Sequence, residues 1–229
     1  MFYHFIYPLS EYMSALNVFR YITVRSAFAA ITAFVLTLVI GDFVIKKLKQ
    51  MKVRQTIRED GPKKHRMKQG TPTMGGIMIL FSFIVSIAMW GRFDNSYVWI
   101  VIVAAVLFAA IGFIDDYMKL KIGTRGMPAK VKLMLQFVFA LVVIGIFIRF
   151  SGNEIPRITG INIPFIKDPF YLPMWVYVIF TAVVIAGWSN AVNLTDGLDG
   201  LATGLSLFVF VTLVIMAYII GNVCLLYTS

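Results

Sequence analysis

Charged residues are scarce in this sequence. Asp, Glu, Lys and Arg together make up 14% of its 229 residues, whereas hydrophobic residues make up 59%. An ordinary soluble domain has ~25% charged and ~45–50% apolar residues, so the composition excludes that class of protein. Cysteine is almost absent as well. Because Cys224 is the single one, the sequence excludes an internal disulfide.

Long apolar runs dominate the chain instead. They lie at about 22–45, 74–90, 97–114, 133–150, 174–190 and 201–221. A helix of ~20 residues crosses the ~30 Å hydrocarbon core of a bilayer, and continuous apolar runs favour helices over the alternating strands of a β-barrel. The sequence therefore predicts an all-α, polytopic integral membrane helix bundle. It has about six transmembrane helices in a single membrane domain, residues 1–229.

The net charge of +10 is concentrated in two loops. Ten of the 21 Lys and Arg residues lie between Lys46 and Lys68, and five lie between Lys119 and Lys132. Two predicted crossings separate these loops, so both face the same side. The positive-inside rule makes that side the cytoplasm and places the N-terminus outside. The predicted partner of the surface is thus the lipid bilayer, and no nucleic acid is expected.

Three polar segments fall at the cytoplasmic face on this topology. They are Gly70–Gly76, the pair Asp115 and Asp116, and the segment Asn190–Asp199. Segments on one side of a membrane can build one site, whereas segments on opposite sides cannot. We therefore expect the active-site loops to be cytoplasmic and to form a common pocket.

Asp115 and Asp116 follow the apolar run 97–114 and are predicted to end that helix. Adjacent carboxylates at the C-terminal dipole end of a helix are unfavourable, so we expect a cation beside them, either a divalent metal or lysines. The alternative is that the pair only marks the membrane boundary among solvated headgroups.

The second acidic segment contains Asn193, Asp196 and Asp199. If a helix begins here, the two aspartates share one face of it, and Gly197 lets a ligand approach the backbone closely. Carboxylate and amide oxygens suit Mg²⁺, a ribose or a base edge. The alternative is that Thr195 and Asp196 simply cap the N-terminus of the sixth helix.

The Gly70–Gly76 segment opens the second helix with backbone N–H groups and threonine hydroxyls, which is a natural phosphate cradle, with Lys68 beside it. The alternative is a plain helix cap with Pro72 near the first turn. Lys130 and Lys132 begin the fourth helix at the same membrane face, and phosphate contact and positive-inside signalling are equally consistent with them. Carboxylates, lysines and Mg²⁺ together indicate phosphoryl transfer from a nucleotide-linked donor to a lipid phosphate.

Two segments outside the apolar runs also carry expectations. Residues Met1 to Tyr21 are aromatic and amphipathic, which is typical of an interfacial segment. The segment from Ser151 to Pro173, which the topology places outside and which we call the outer loop, is expected to form a short hairpin around Gly160-Ile161 or Gly160 to Asn162.

Four motifs give the chain a specific resemblance. Asn-Val-Phe-Arg-Tyr-Ile-Thr (17–23), Gly-Thr-Pro-Thr-Met-Gly-Gly (70–76), Gly-Phe-Ile-Asp-Asp-Tyr (112–117) and Asn-Ala-Val-Asn-Leu-Thr-Asp-Gly-Leu-Asp-Gly-Leu-Ala (190–202) resemble phospho-N-acetylmuramoyl-pentapeptide transferases in order and spacing. The resemblance implies a Mg²⁺-dependent phosphoglycosyl transferase of the bacterial inner membrane, with a homodimer as one expected assembly. Such an enzyme moves phospho-MurNAc-pentapeptide from UDP-MurNAc-pentapeptide to undecaprenyl phosphate and yields lipid I and UMP.

The resemblance also implies roles for individual residues. Asp115 and Asp116 match the family's catalytic aspartate pair, with Asp115 as the group that deprotonates or orients the lipid phosphate, and both are candidate metal ligands. The positions that match the substrate site are Lys68, Thr73, Lys132, Asn193 and Asp196, and those that match the uridine-binding stretch are Gly197, Leu198 and Asp199.

The sequence departs from the family in what it does not contain. Full-length relatives have about ten helices and include a Phe-x-Gly-Asp-x-Gly-Ser segment, whose aspartate binds Mg²⁺, and a histidine-rich loop. Neither occurs within these 229 residues. The chain is therefore expected to be an N-terminal part of a longer enzyme and to be inactive alone.

Two other functions remain as alternatives. The first is a sibling enzyme that moves GlcNAc-1-phosphate, or another HexNAc-1-phosphate, onto a polyprenyl phosphate, although Thr-Pro-Thr-Met-Gly-Gly favours the muramoyl branch. The second is a cation-coupled transporter that uses the four aspartates as an ion path. A transporter needs carboxylates near the bilayer midplane, and these are predicted to lie at one face.

Overall fold

The computed structural model describes residues 5–50, 74–122, 126–152, 158–161, 163, 166, 168–197 and 200–221. Within these residues the chain forms six α-helices: α1 (Ile22–Gln50), α2 (Gly76–Trp90), α3 (Ser96–Ile122), α4 (Ala129–Ser151), α5 (Met174–Thr195) and α6 (Leu201–Gly221). Each predicted apolar run corresponds to one of these helices. The prediction of an all-α membrane bundle is confirmed.

Five of these helices are long and apolar enough to cross a membrane, namely α1 and α3 to α6. The 15 residues of α2 rise only about 22 Å, somewhat less than the ~30 Å hydrocarbon core. At most 22% of the residues in any of the five apolar windows are buried within the protein. Their apolar side chains therefore face outward, as they do where lipid is the solvent.

The chain divides into two compact units, residues 1–182 and 183–229. In the first unit α1 packs on α2, α2 on α3, and α3 on α4. Small side chains lie fully buried between these helices, including Ser82, Ser86 and Ala140. Small residues allow membrane helices to approach closely, and Ser86 also donates a hydrogen bond across to the Ala29 carbonyl of α1.

Helix α3 extends further than its apolar run predicts. It continues to Ile122, so Asp115 and Asp116 lie about two turns before its end rather than at the end. The predicted position at a helix terminus is therefore wrong. Hydropathy marks the thickness of the hydrocarbon, whereas the backbone hydrogen-bond ladder can continue into the polar layer, where Lys119 and Lys121 occupy the last turn.

The outer loop pairs differently from the expected hairpin. Strand β1 (Gly160–Ile161) is antiparallel to β2 (Phe170–Tyr171), with Gly160 opposite Tyr171. The Leu172 N–H also donates to the Thr159 carbonyl at 3.0 Å. Gly160 thus lies in a strand and not in a turn, and a wider loop closes the pair. Asn162 lies outside the described residues.

The segment before α1 forms two 3₁₀ helices, Pro8–Glu11 and Ser14–Arg20. The Tyr21 N–H donates to the Val18 carbonyl at 3.2 Å, and the chain enters α1 at Ile22. Tyr7, Tyr12 and Tyr21 flank these two short helices, which fits the predicted interfacial segment.

Candidate active site

Asp115 is held by groups from three parts of the first unit. Its side chain lies on α3 and the residue is only 7% exposed. Lys119 Nζ, one turn further along α3, lies 2.7 Å from Oδ2, and the Met127 backbone N–H donates to Oδ1 at 2.9 Å. Lys132 Nζ, from the first turn of α4, lies 3.6 Å from Oδ2. Both carboxylate oxygens are therefore occupied and the buried charge is compensated.

Asp116 shares one of these partners. Lys119 Nζ also donates to its Oδ1 at 3.1 Å. A helix places residues three and four positions apart on one face, which is why one lysine reaches both carboxylates. We call Asp115, Asp116, Lys119 and Lys132 the carboxylate–lysine cluster. The expectation of a cation beside the aspartate pair is confirmed by the two lysines.

The loop between α3 and α4 is shaped to fit this cluster. Gly126 has a φ of +59°, a left-handed conformation that side chains disfavour. A Cβ atom here would lie 2.7 Å from Asp115 Oδ1 and 2.9 Å from Lys119 Cγ. Only glycine allows the backbone to approach so closely and to aim the Met127 N–H at Asp115.

Sequence reasoning missed Lys119, Gly126 and Met127 as parts of the site. The signals that could have found them are the spacing of Lys119 from the aspartate pair and the glycine two residues before Pro128 at the start of α4. The backbone contribution of Met127 leaves no signal in its residue type.

The cluster has features of a cation site. One ammonium nitrogen lies 2.7 Å from Asp115 Oδ2 and 3.1 Å from Asp116 Oδ1, so both carboxylates face a common point. Lys119 is 41% exposed on a flexible side chain and can leave that point, whereas Lys132 is only 16% exposed. Carboxylate oxygens are the ligands that Mg²⁺ prefers, so this pair supplies ligands of the right type. Among the described residues no third Asp, Glu, His or Cys joins the two aspartates.

The second unit contains the other described site residues. Asn193 lies exposed in the last turn of α5, Asp196 and Gly197 form the turn after it, and the Gly197 N–H donates to the Thr195 carbonyl at 2.8 Å. The Thr195 hydroxyl donates back to the Ala191 carbonyl at 2.8 Å.

This geometry corrects two expectations about the segment. Thr195 ends α5 and bonds within it, and α6 begins at Leu201, so Thr195 and Asp196 do not cap α6. The condition for a helical face shared by Asp196 and Asp199 is not met at Asp196, because this residue lies in a turn. Leu198 and Asp199 fall outside the described residues.

The glycine-rich cradle is described only at its end. Lys68 and Thr73 lie outside the described residues, while α2 begins at Gly76 with no side-chain cap. The preceding Met74 has a φ of +72°, and its carbonyl accepts the Ile77 N–H at 3.2 Å. Left-handed conformations are uncommon for residues other than glycine and tend to occur at functional sites. The phosphate cradle stays a prediction.

Comparison of the sequence with known proteins identifies the family of this chain. The sequence profile of glycosyl transferase family 4 matches residues 98–229. The chain belongs to glycosyl transferase family 4. The match to this family begins in α3 and extends beyond α6, so it includes both the carboxylate–lysine cluster and the Asn193 turn. In addition, residues 68–80 match signature 1 of phospho-N-acetylmuramoyl-pentapeptide transferases, which covers Lys68, Thr73 and the start of α2.

Individual relatives within the family carry the same name. The chain is 45% identical over 227 residues to the phospho-N-acetylmuramoyl-pentapeptide transferase of Desulfotalea psychrophila, covering 98% of this chain and 62% of the relative. It is 43% identical over 223 residues to that of Syntrophus aciditrophicus and 44% identical over 229 residues to that of Thermodesulfovibrio yellowstonii. Each of these two matches covers 97% of this chain and 61% of the relative. The chain thus spans somewhat less than two thirds of these curated relatives.

The structure brings together three of the site residues predicted from the sequence, Asp115, Asp116 and Lys132, within the first unit. Asn193, Asp196 and Gly197 lie close together along the chain in the second unit. That all of them form one pocket stays a prediction.

Proposed function

We propose that this chain is part of an enzyme that transfers phospho-MurNAc-pentapeptide from UDP-MurNAc-pentapeptide to undecaprenyl phosphate, yielding lipid I and UMP. The observation that carries the proposal is the carboxylate–lysine cluster about two turns before the end of a membrane-spanning helix, where a lipid phosphate and a soluble nucleotide can meet. Relatives named for this transferase, over nearly the whole chain, support it.

The chemistry assigns Asp115 to the lipid phosphate. An oxygen of undecaprenyl phosphate attacks the phosphorus attached to the sugar of the donor, a new P–O bond forms, and the bond to the UMP oxygen breaks. Asp115 removes or orients the proton of the lipid phosphate at its Oδ2 once Lys119 has moved away. A buried, compensated carboxylate is pre-organised for this role because its partners hold it in one orientation.

The lysines have a separate role on the phosphates. Lys132 is held close to Asp115 by its position on α4 and would neutralise a diphosphate oxygen as the bond breaks. Lys119 exchanges its carboxylate partners for the incoming phosphate. Its exposure makes this exchange sterically feasible.

Mg²⁺ is part of the same proposal. Asp115 and Asp116 would hold it, and the bound ion supplies positive charge that stabilises the transferring phosphoryl group. Gly197, Leu198 and Asp199 would bind the uridine, while Lys68, Thr73, Asn193 and Asp196 would make polar contacts with the substrates.

The proposed setting is the bacterial inner membrane, with the cluster on the cytoplasmic face. The predicted homodimer can be measured by native mass spectrometry of the detergent-solubilised protein. A monomer at all protein concentrations would contradict it.

A chimera tests the proposed reaction directly. This chain is joined to the remaining C-terminal segment of the Desulfotalea psychrophila relative and assayed in membranes with radiolabelled UDP-MurNAc-pentapeptide or UDP-GlcNAc. We expect lipid I only from the first donor. Transfer from UDP-GlcNAc alone would assign the sibling function, and no transfer from either donor would contradict the proposal. The 229-residue chain assayed by itself tests the expectation that it is inactive alone.

A further inference from the structure

The two oxygens of the Asp115 carboxylate have different partners. Oδ1 accepts the Met127 backbone N–H at 2.9 Å. Oδ2 faces the two lysines of the carboxylate–lysine cluster, with Lys119 Nζ at 2.7 Å and Lys132 Nζ at 3.6 Å. The loop between α3 and α4 therefore holds one oxygen, while the charged side chains surround the other.

These partners differ in how easily they can leave Asp115. The Lys119 side chain is 41% exposed, and its long flexible stem lets the ammonium turn toward water or a phosphate. Met127 is only 7% exposed, and its N–H belongs to the backbone just before α4 begins at Ala129. A backbone group cannot rotate away unless the chain itself moves. Met127 is therefore the fixed partner of Asp115, and Lys119 is the exchangeable one.

The fixed partner becomes decisive when Lys119 leaves. In the proposed reaction Lys119 moves to the incoming phosphate, so the Asp115 carboxylate loses its closest ammonium. The terminal torsion of an aspartate is soft, and a carboxylate with fewer partners can turn about it. The Met127 N–H still holds Oδ1, so Oδ2 stays presented to the reacting proton. Correct orientation of a reacting group is a large part of rate enhancement.

Gly126 makes this backbone contact possible for two separate reasons. Its φ of +59° is a conformation that most side chains disfavour. A Cβ atom here would also lie 2.7 Å from Asp115 Oδ1, the same atom that accepts the Met127 N–H, and 2.9 Å from Lys119 Cγ. Any other residue must therefore displace the loop or the carboxylate, even a residue that tolerates a positive φ.

We propose that Gly126 is a positioning residue for the transferase reaction. It lets the Met127 N–H fix Asp115 Oδ1, so that Oδ2 stays aimed at the lipid phosphate while Lys119 exchanges partners. Gly126 contacts neither substrate in this scheme and acts only through Asp115. The inference rests on the proposed function, whereas the contact between Met127 and Asp115 can be measured in the 229-residue chain without any turnover.

Hydrogen exchange at the Met127 amide tests the contact. The purified chain is labelled isotopically at methionine nitrogen for nuclear magnetic resonance in detergent, and the Met127 signal is the one missing from Met127→Leu. Asp115→Ala should speed exchange of this amide about tenfold, because its acceptor is lost. Asp115→Asn retains an oxygen acceptor and should restore slow exchange, and Asp116→Ala, at the neighbouring carboxylate, is the matched control. Exchange that is indifferent to Asp115→Ala overturns the proposal.

Kinetics of the chimera test the consequence for the reaction. Gly126→Ala and Gly126→Asn should both lower kcat per folded enzyme by about 10- to 100-fold, with the KM for UDP-MurNAc-pentapeptide unchanged. Asparagine tolerates a positive φ but carries the same Cβ atom as alanine. Gly152→Ala and Gly152→Asn are the matched controls, because Gly152 has a φ of +53° and no atom near its Cβ position. Gly152→Ala should lose stability but retain kcat, and Gly152→Asn should resemble the wild type.

The outcomes separate positioning from a purely structural role. Full kcat in folded Gly126→Ala overturns the proposal. Recovery of kcat in Gly126→Asn also overturns it, because the backbone conformation alone would then explain the glycine. A wild-type chimera that makes no lipid I contradicts the proposed function, whereas the exchange rates of Met127 independently support or overturn the positioning of Asp115.

Discussion

The two ends of the bundle formed by α1 to α4 differ in how their charged side chains are paired. At one end, two carboxylates and two lysines compensate each other within the protein, and a backbone N–H completes the set. At the other end, two arginines and one aspartate line a cavity beside Trp90, and Arg92 and Asp94 pair with each other. The first end therefore gathers its charged side chains from two helices around one buried carboxylate, whereas the ion pair of the second end is formed within a single exposed connection.

The largest expected effect tests whether the balanced end is the reacting one. Asp115→Asn in the chimera should lower the rate of lipid I formation by about 10²–10⁴-fold, because the amide cannot accept the proton. Radiolabelled donor turnover measures this. Asp168→Asn, on the exposed outer loop, should retain full activity. Wild-type activity of Asp115→Asn would remove Asp115 from the mechanism.

A backbone variant tests how the loop holds Asp115. Gly126→Ala is expected to lower the free energy of unfolding by about 1–3 kcal/mol, because the new Cβ meets Asp115 Oδ1 in a left-handed backbone conformation. Gly152→Ala is the matched control, since Gly152 has a φ of +53° with no atom near its Cβ position. Denaturant unfolding compares them. Equal losses would show that the contact with Asp115 adds nothing to backbone strain.

A charge variant tests whether Lys119 competes with a metal ion. Lys119→Gln should tighten Mn²⁺ binding to the chain several-fold, because the two carboxylates then lack their shared ammonium partner. Electron paramagnetic resonance of free Mn²⁺ measures the binding. Lys121→Gln, whose ammonium lies over the Tyr117 ring on the same helix, is the control. Unchanged or weaker binding in Lys119→Gln would contradict a cation site between the aspartates.

The smallest expected effect concerns Trp90, which stacks on Phe28 at the opposite end of the bundle. Thr32→Val removes the acceptor of the Trp90 indole N–H and should lower stability by about 1 kcal/mol. Thr37→Val deletes a hydroxyl that donates to the Ala33 carbonyl within α1 and joins no second helix among the described residues, so its effect should be smaller. Thermal unfolding compares the two. A larger loss of stability in Thr37→Val would indicate that the packing of Trp90 does not depend on its hydrogen bond to Thr32.

The fold was largely predictable because membrane insertion depends on local hydropathy. Each apolar run became a helix, and the positions of the basic loops required no tertiary information. Errors arose where a short-range pattern had to decide a boundary. The end of α3, the turn after Thr195 and the pairing of Gly160 all depend on hydrogen bonds that hydropathy does not encode.

The candidate site was predictable in residue type but not in contacts. Asp115, Asp116 and Lys132 were identified from the sequence, and the need for a cation beside the pair followed from like-charge repulsion. That the cation is Lys119, and that Met127 donates its backbone N–H, required coordinates. A backbone donor can belong to any residue type, so composition carries no record of it.

The sequence alone determined that the chain has several helices long and apolar enough to cross a membrane and which of its loops are basic, because those properties depend on apolar length and on charge along the chain. That the carboxylates share one membrane face stays a prediction. Tertiary structure decided which groups compensate each charge. It showed Gly126 against Asp115 and placed Arg25 in a cavity with Trp90. These contacts join residues from different helices, and only the packing of those helices brings them within hydrogen-bonding or van der Waals distance.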